Sequence, residues 1–143
     1  MIAIGSDHGG FGLKNDIIEY LEKKGFELKD HGTYTTESCD YPDYAKAVAK
    51  AILSGEADRG ILVCGTGLGI SIAANRFKGI RAADCTDCFM AKMAREHNDA
   101  NILALGERVV GKGLAFMIVD TFLETEFSNG ERHIKRIQKI DED

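Results

Sequence analysis

Five short runs of β-forming residues alternate with longer segments of helical spacing, and this alternation restricts the chain more than any other feature. The runs are residues 2–6, 26–30, 60–64, 80–84 and 101–105. Between them Leu13, Ile17, Ile18 and Leu21 recur at helical spacing, as do Tyr44, Ala45, Val48, Ala49 and Ile52, and later Phe89, Met90 and Met93. Strands joined through helices predict a parallel sheet covered on both faces, with right-handed crossovers. The expected class is α/β, a three-layer αβα sandwich around a five-stranded parallel sheet. Residues 32–43 are polar and carry Pro42, which suits the first turn of the helix that follows, so this stretch reads as a loop long enough to cover a site. After Leu105 come a glycine-rich turn, a helix near residues 114–126, the turn Ser128-Asn129-Gly130 and a last helix from about Glu131. The tail Asp141-Glu142-Asp143 reads as a solvated end.

At 143 residues the chain fits one domain, residues 1–143, closed by that C-terminal helix. It is Rossmann-like in pattern but short for the two halves of a full dinucleotide-binding fold. Apolar residues make up 44% of it, and no apolar run approaches the roughly 18 residues of a membrane span. The N-terminal MIAIGSDHGG reads as a first strand rather than a secretory leader, so the expected location is the cytoplasm. A net charge of −5 argues against a nucleic-acid surface, and any anionic ligand must meet a local positive cluster. Cys39, Cys64, Cys85 and Cys88 are expected as free thiols.

Ligands of open parallel sheets gather outside the carboxyl ends of the strands, and four marked segments are expected there. The first is Ser6-Asp7-His8-Gly9-Gly10, the second Cys64 to Gly69, the third Arg95 to Asn98, and the fourth Arg132-His133 with Arg136. A buried cysteine is ordinarily a small hydrophobe. Cys64, however, opens onto Gly65, Gly67 and Gly69, which free the backbone to aim several N–H groups at one oxyanion in front of a helix N-terminus. The same field favours a thiolate, so a base and an anion hole would share one turn. Thr66 either donates to a substrate oxygen or caps the helix.

Each of the others has a plainer reading beside the chemical one. Asp7 and His8 would serve as a helix cap and a surface histidine, and His97 with Asn98 would complement a helix C-terminus, unless the imidazole shuttles a proton. Arg132 and Arg136 share a helix face and could grip one phosphate, with Lys135 expected to point elsewhere; the alternative is a solvated charged face. Cys85-Thr86-Asp87-Cys88 has redox spacing but no zinc-site partners. GTGLG with Asp84 at the next strand end leaves open a nucleotide-binding module, although the GxGxxG order is missing.

Taken together, GSDHGGFGLK, DYPDYA, CGTGLGISIAANR, REHNDANILALGERVVG and GERHIKR occur in the order and across the length that resemble the type B ribose-5-phosphate isomerases, a family that includes allose- and galactose-6-phosphate isomerases. The resemblance implies aldose–ketose interconversion through a cis-enediolate, with no metal and no cofactor. It implies that Cys64 is the base and that Gly65, Thr66, Gly67, Leu68 and Gly69 hold the developing oxyanion. Asp7 and His97 would open the sugar ring. His8, Arg132 and Arg136 would recognise phosphate, and Tyr41 and Asn98 the hydroxyls. Some relatives place a glutamate base in this turn; GISIAAN offers none here. The family further implies a homodimer or a dimer of dimers with sites at the subunit interface, and a phosphorylated sugar as the partner.

Overall fold

The computed structural model describes residues 1–142, so Asp143, the end of the acidic tail, lies outside the described residues. Five parallel strands stand in the order β2-β1-β3-β5-β4: β1 Ile2–Ser6, β2 Leu28–Asp30, β3 Arg59–Cys64, β4 Ala82–Asp84 and β5 Ile102–Gly106. The helices are α1 Phe11–Lys23, α2 Tyr41–Leu53, α3 Leu68–Ala74, α4 Cys88–Glu96, α5 Lys112–Glu124 and α6 Glu131–Asp141. Among them is no helix long and apolar enough to cross a membrane.

Strand alternation divides the core between the two faces. Ile61 and Val63 of β3 and Leu103 and Leu105 of β5 pack with Ile17 and Leu21 of α1, Ala94 of α4 and Ile118 and Phe122 of α5. Leu62, Cys64, Ile102 and Ala104 face the other way, onto Val48 and Ala49 of α2 and Ile70 and Ala74 of α3. The small residues there bring α2 and the sheet close together: a Cβ at Gly60 would lie 2.7 Å from Val48. Because α3 leaves β3 toward one face while α1 and α5 leave its neighbours toward the other, a crevice opens above the carboxyl end of β3.

Two strands are shorter than their sequence runs. Phe26 gives its N–H to Leu21 O in the turn that ends α1, so β2 starts only at Leu28. Ile80 N–H closes on Phe77 O and Arg81 N–H on the Asn101 side chain, which delays β4 to Ala82. The Asn75 side chain pairs with both the N–H and the C=O of Ala82 at 2.7 and 2.9 Å, occupying the backbone groups of this edge strand. The tail also differs from the solvated end expected: Asp141 closes α6 and pairs with Arg81 at 3.2 Å.

Candidate active site

Cys64 is the last residue of β3 and is buried. Its Sγ accepts the N–H of Gly67 at 3.1 Å, so the turn that follows the strand folds back over the sulfur. Gly67 holds φ at +80°, where a side chain would be strained, and a Cβ would come within 2.2 Å of Asp84 Oδ1. The neighbouring strand clasps the same turn: Glu107 N–H donates to Cys64 O at 2.9 Å and Arg108 N–H to Gly65 O at 3.0 Å. Thr66 Oγ1 accepts the N–H of Leu68 at 3.2 Å, a local turn contact ahead of α3, whose cap is Gly67 without a side-chain hydrogen bond. The Leu68 side chain faces solvent, and the Tyr41 ring lies where a Cβ on Gly69 would stand, 2.6 Å from Tyr41 Cζ.

Asp7 sits beside this turn, its carboxylate accepting N–H groups of Gly9 and Gly10 at 2.9 and 3.2 Å. A Cβ on Gly9 would lie 3.3 Å from Gly65 N, which measures how closely the two turns approach. His8 Nδ1 accepts the N–H of Cys39 at 3.2 Å, so the ring bears its proton on Nε2 and offers a donor there. The loop over residues 31–40 is held at this edge by Ser6 N–H to Gly32 O and Thr33 N–H to Ser6 O, both 2.7 Å. Behind it Lys14, fully buried, grips Asp30 with 2.7 and 2.8 Å contacts, and Asp30 also accepts Gly32 N–H.

The carboxyl edge therefore collects Asp7, His8, Tyr41, Cys64 and the turn from Gly65 to Gly69. It does not collect the other two marked segments. Helix α4 starts at the carboxyl end of β4 and runs back, so His97 and Asn98 stand before the start of β5, at the opposite edge. Five to six strand residues at about 3.3 Å each hold the two edges roughly 17 Å apart. Of the four segments expected at the carboxyl ends, one chain thus brings only the first two together there, and the antiparallel return of the crossover helices leaves the other two at the opposite edge.

That opposite edge is a cluster in its own right. Buried Arg95 donates to Thr125 O, Ala100 O and Asp99, fixing the turn after α4, where Asp99 adopts φ +45°. Ser128 donates through both its N–H and its hydroxyl to Glu96 O, which brings the start of α6 beside His97. The His97 and His133 rings stack with centroids 4.2 Å apart. Burial, His97 and the Arg132 and Arg136 guanidinium groups push the His133 imidazole below its ordinary range. Asn98 lines a cleft of about 350 Å³ with Asn75, Arg81 and Ile140. Arg132 and Arg136 share a second cleft of about 290 Å³ with Lys135 and Lys139, so Lys135 joins the basic face rather than pointing away from it.

One residue escaped the sequence reading. The Arg108 guanidinium packs on the glycine turn, with Nη1 3.3 Å from where a Gly65 Cβ would be. Its signal was positional: it lies two residues beyond β5, the strand next to β3. The rival sites lose ground here. Asp84 Oδ1 is buried without a hydrogen-bond partner against Gly67, and burial raises the pKa of its carboxyl. Cys85 is buried and its thiol is pushed up to about 12 by burial and then by Asp84 and Asp87, which is unsuited to thiol exchange.

Comparison with known proteins agrees with this arrangement. The family model described as Ribose/Galactose Isomerase matches residues 2–140. Ribose-5-phosphate isomerase B of Escherichia coli K12 is 52% identical over 139 residues, covering 97% of this chain and 93% of that protein. The galactose-6-phosphate isomerase subunit LacB of Clostridium acetobutylicum is 44% identical over 99% of this chain and 82% of its own length. A solved structure of Clostridium thermocellum ribose-5-phosphate isomerase B superposes with a TM-score of 0.96 at 63% identity, covering 98% of this chain and 94% of that one. A sheet that opens its crevice above a cysteine and a glycine turn, matched from end to end by these relatives, makes this chain a member of the ribose/galactose isomerase family.

Proposed function

We propose that the protein interconverts ribose 5-phosphate and ribulose 5-phosphate in the cytoplasm, through a cis-enediolate and without a metal, with Cys64 as the general base. The observation that carries this reading is the position of Cys64, last residue of β3 at the carboxyl edge, with its Sγ 3.1 Å from a main-chain N–H of the glycine turn that follows it. The thiolate takes the proton from C2 of the open aldose while the carbonyl oxygen at C1 becomes negative. The sulfur then returns that proton to C1, the hydroxyl proton on O2 passes to O1, and the carbonyl forms at C2. Main-chain N–H groups of Gly65 to Gly69, with Thr66, hold the anion in between. One such donor is typically worth about 3 kcal/mol, so several converging donors supply what a metal would otherwise supply.

The second half of the chemistry comes from a second copy of the chain. Its His97, Asn98, Arg132 and Arg136, displaced to the far edge within one chain, meet the Cys64 turn of the first copy in a homodimer, alone or within a dimer of dimers. His97 with Asp7 opens the sugar ring, because the closed form has no carbonyl to enolise. His8 Nε2 and Arg108 on one side and Arg132 and Arg136 on the other bind the phosphate. Tyr41 and Asn98 take the hydroxyls. Ribose 5-phosphate is preferred because one chain type supplies the whole set; a 6-phosphate hexose, named for the LacB relative, differs by one carbon, worth only about 1–3 kcal/mol.

A coupled assay with ribose 5-phosphate, run with and without a chelator, tests the reading. Turnover should survive the chelator and fall by at least 10²-fold in Cys64→Ala, the lower end of what a general base contributes. Full activity of that variant would overturn the base assignment. A panel of pentose and hexose phosphates then ranks the substrates.

A further inference from the structure

Helix α6 buries the wrong residue for an ordinary amphipathic helix. Its one buried side chain is His133, 8% exposed, whereas Ile134 and Ile140 are 38% and 60% exposed. A helix that needed only to dock would hide its aliphatic residues and leave the imidazole in water. Instead the His133 ring lies almost parallel to the His97 ring, with a 13° angle between the planes and 4.2 Å between centroids. Behind it stands Gly130, where a Cβ would lie 3.1 Å from His133 Cδ2, so the turn into α6 leaves just the thickness of a ring.

We propose that His133 is a positioning residue for His97: the stacked second ring fixes the plane in which His97 is presented to the sugar of the neighbouring copy. This rests on the role given to His97 above. Without such backing His97, at the C-terminal cap of α4 and outside the helix, is free to rotate about its side-chain torsions. The two rings are not equivalent. His133 is the more deeply buried, and the charged groups acting on it are His97 from α4 and Arg132 and Arg136 from its own helix, all of which oppose a second positive charge. Burial and these neighbours all disfavour the charged form of His133, which suits it to back the other ring rather than to carry charge itself. The same two arginines point to the phosphate, so the backing ring and the phosphate grip are carried on successive turns of one helix.

Three variants decide the matter, assayed for kcat and KM on ribose 5-phosphate and examined by NMR of histidine labelled at Cε1. His133→Ala should lower kcat about tenfold or more, leave KM within twofold, and abolish the ring-current shift of the His97 signal. His133→Phe, flat but unable to carry a proton, should keep that shift and restore kcat to within threefold of wild type. An alanine variant that loses the shift yet keeps its kcat overturns the proposal. So does a phenylalanine variant that keeps the shift and is tenfold impaired, since the imidazole nitrogens would then be needed directly. Should His133→Ala not fold, the phenylalanine result alone decides on the same thresholds. His97→Asn runs alongside: wild-type kcat there removes the ring-opening role and the positioning role with it. Collapse of His97→Asn beside a fully active His133→Ala removes only the positioning role.

Discussion

The two edges of the sheet carry different kinds of machinery. At the carboxyl edge the atoms of the proposed cradle belong to the main chain: N–H groups of the Gly65 to Gly69 turn, held by Glu107 and Arg108 just beyond β5 and by a hydrogen bond to Cys64 Sγ. At the opposite edge the working atoms sit at the ends of side chains, two stacked imidazoles and four cations on α6. A main-chain cradle is fixed when the chain folds and costs no further ordering at the moment of reaction. Long cationic side chains lose rotamer freedom only when they close on a ligand. On the proposed reading the reaction centre lies on the rigid edge, and a second copy brings the arginine half of the phosphate grip across on the adaptable one.

The largest effect expected tests whether the two edges of different chains meet. Cys64→Ala and His97→Asn each inactivate one edge, so each homodimer should be inactive alone. Unfolding and refolding the two together forms hybrids in which one of the two sites is assembled from intact edges. Random pairing makes about half the dimers hybrid, each half active, so activity should rise to about a quarter of wild type. No recovery in verified hybrids would show that each chain completes its own site, and the comparison of edges would lose its meaning.

The rigid edge is sharpened next by Gly67→Ala. A left-handed residue costs alanine about 1–2 kcal/mol, and the new methyl group would meet Asp84 Oδ1, 2.2 Å away. Urea denaturation should show at least that loss, and kcat should fall by at least tenfold because the N–H aimed at the sulfur is displaced. Asp84→Ala in the same chain should recover the part due to contact and leave the part due to φ. Recovery of full stability would mean that the backbone conformation is not strained for alanine.

Much of this contrast was legible in the residues, and unevenly so. Cys64 and its glycines are adjacent in the chain, so one strand end announces the whole turn. The core faces of α1 and α2 follow from the spacing of Ile17 and Leu21 or Val48 and Ala49. Spacing misjudged the starts of β2 and β4, because there the backbone donors go to turns and to Asn101, which apolar pattern does not record. It also gathered His97 and Arg132 at the carboxyl edge. Their distance from Cys64 is set by the direction of α4 relative to β5, a tertiary fact. Arg108 was overlooked and Lys135 misdirected for a related reason: what matters for each is its neighbours in the fold, Gly65 in one case and the basic face of α6 in the other.

On the adaptable edge, Arg136→Gln should act on binding rather than on chemistry. A charge-assisted hydrogen bond contributes about 1.5–3 kcal/mol, so KM for ribose 5-phosphate should rise roughly tenfold or more while kcat changes by less than threefold. The rise should shrink when the assay is repeated at high salt, which already screens the wild-type cations. A fall in kcat with KM unchanged would instead place the guanidinium at the developing enediolate.

The smallest effect compares the two edges through their histidines. His31, near the rigid edge, has its imidazole pushed below the ordinary value of 6.5 by burial and then by Lys29, as His133 does at the other edge by burial and its cationic neighbours. In the unfolded chain each takes up its proton near pH 6.5; in the folded chain each resists until a lower pH. The unfolded state therefore binds more protons over that interval, and stability present above pH 6.5 is lost as the pH falls toward the folded values. The midpoint of thermal unfolding should drop between pH 7.5 and pH 5.5. In His31→Gln the drop should be smaller by the share of that ring, whose Nε2 is buried without a partner and is costly to charge. An unchanged slope in His31→Gln would assign the whole pH response to the far edge, and to His133 within it.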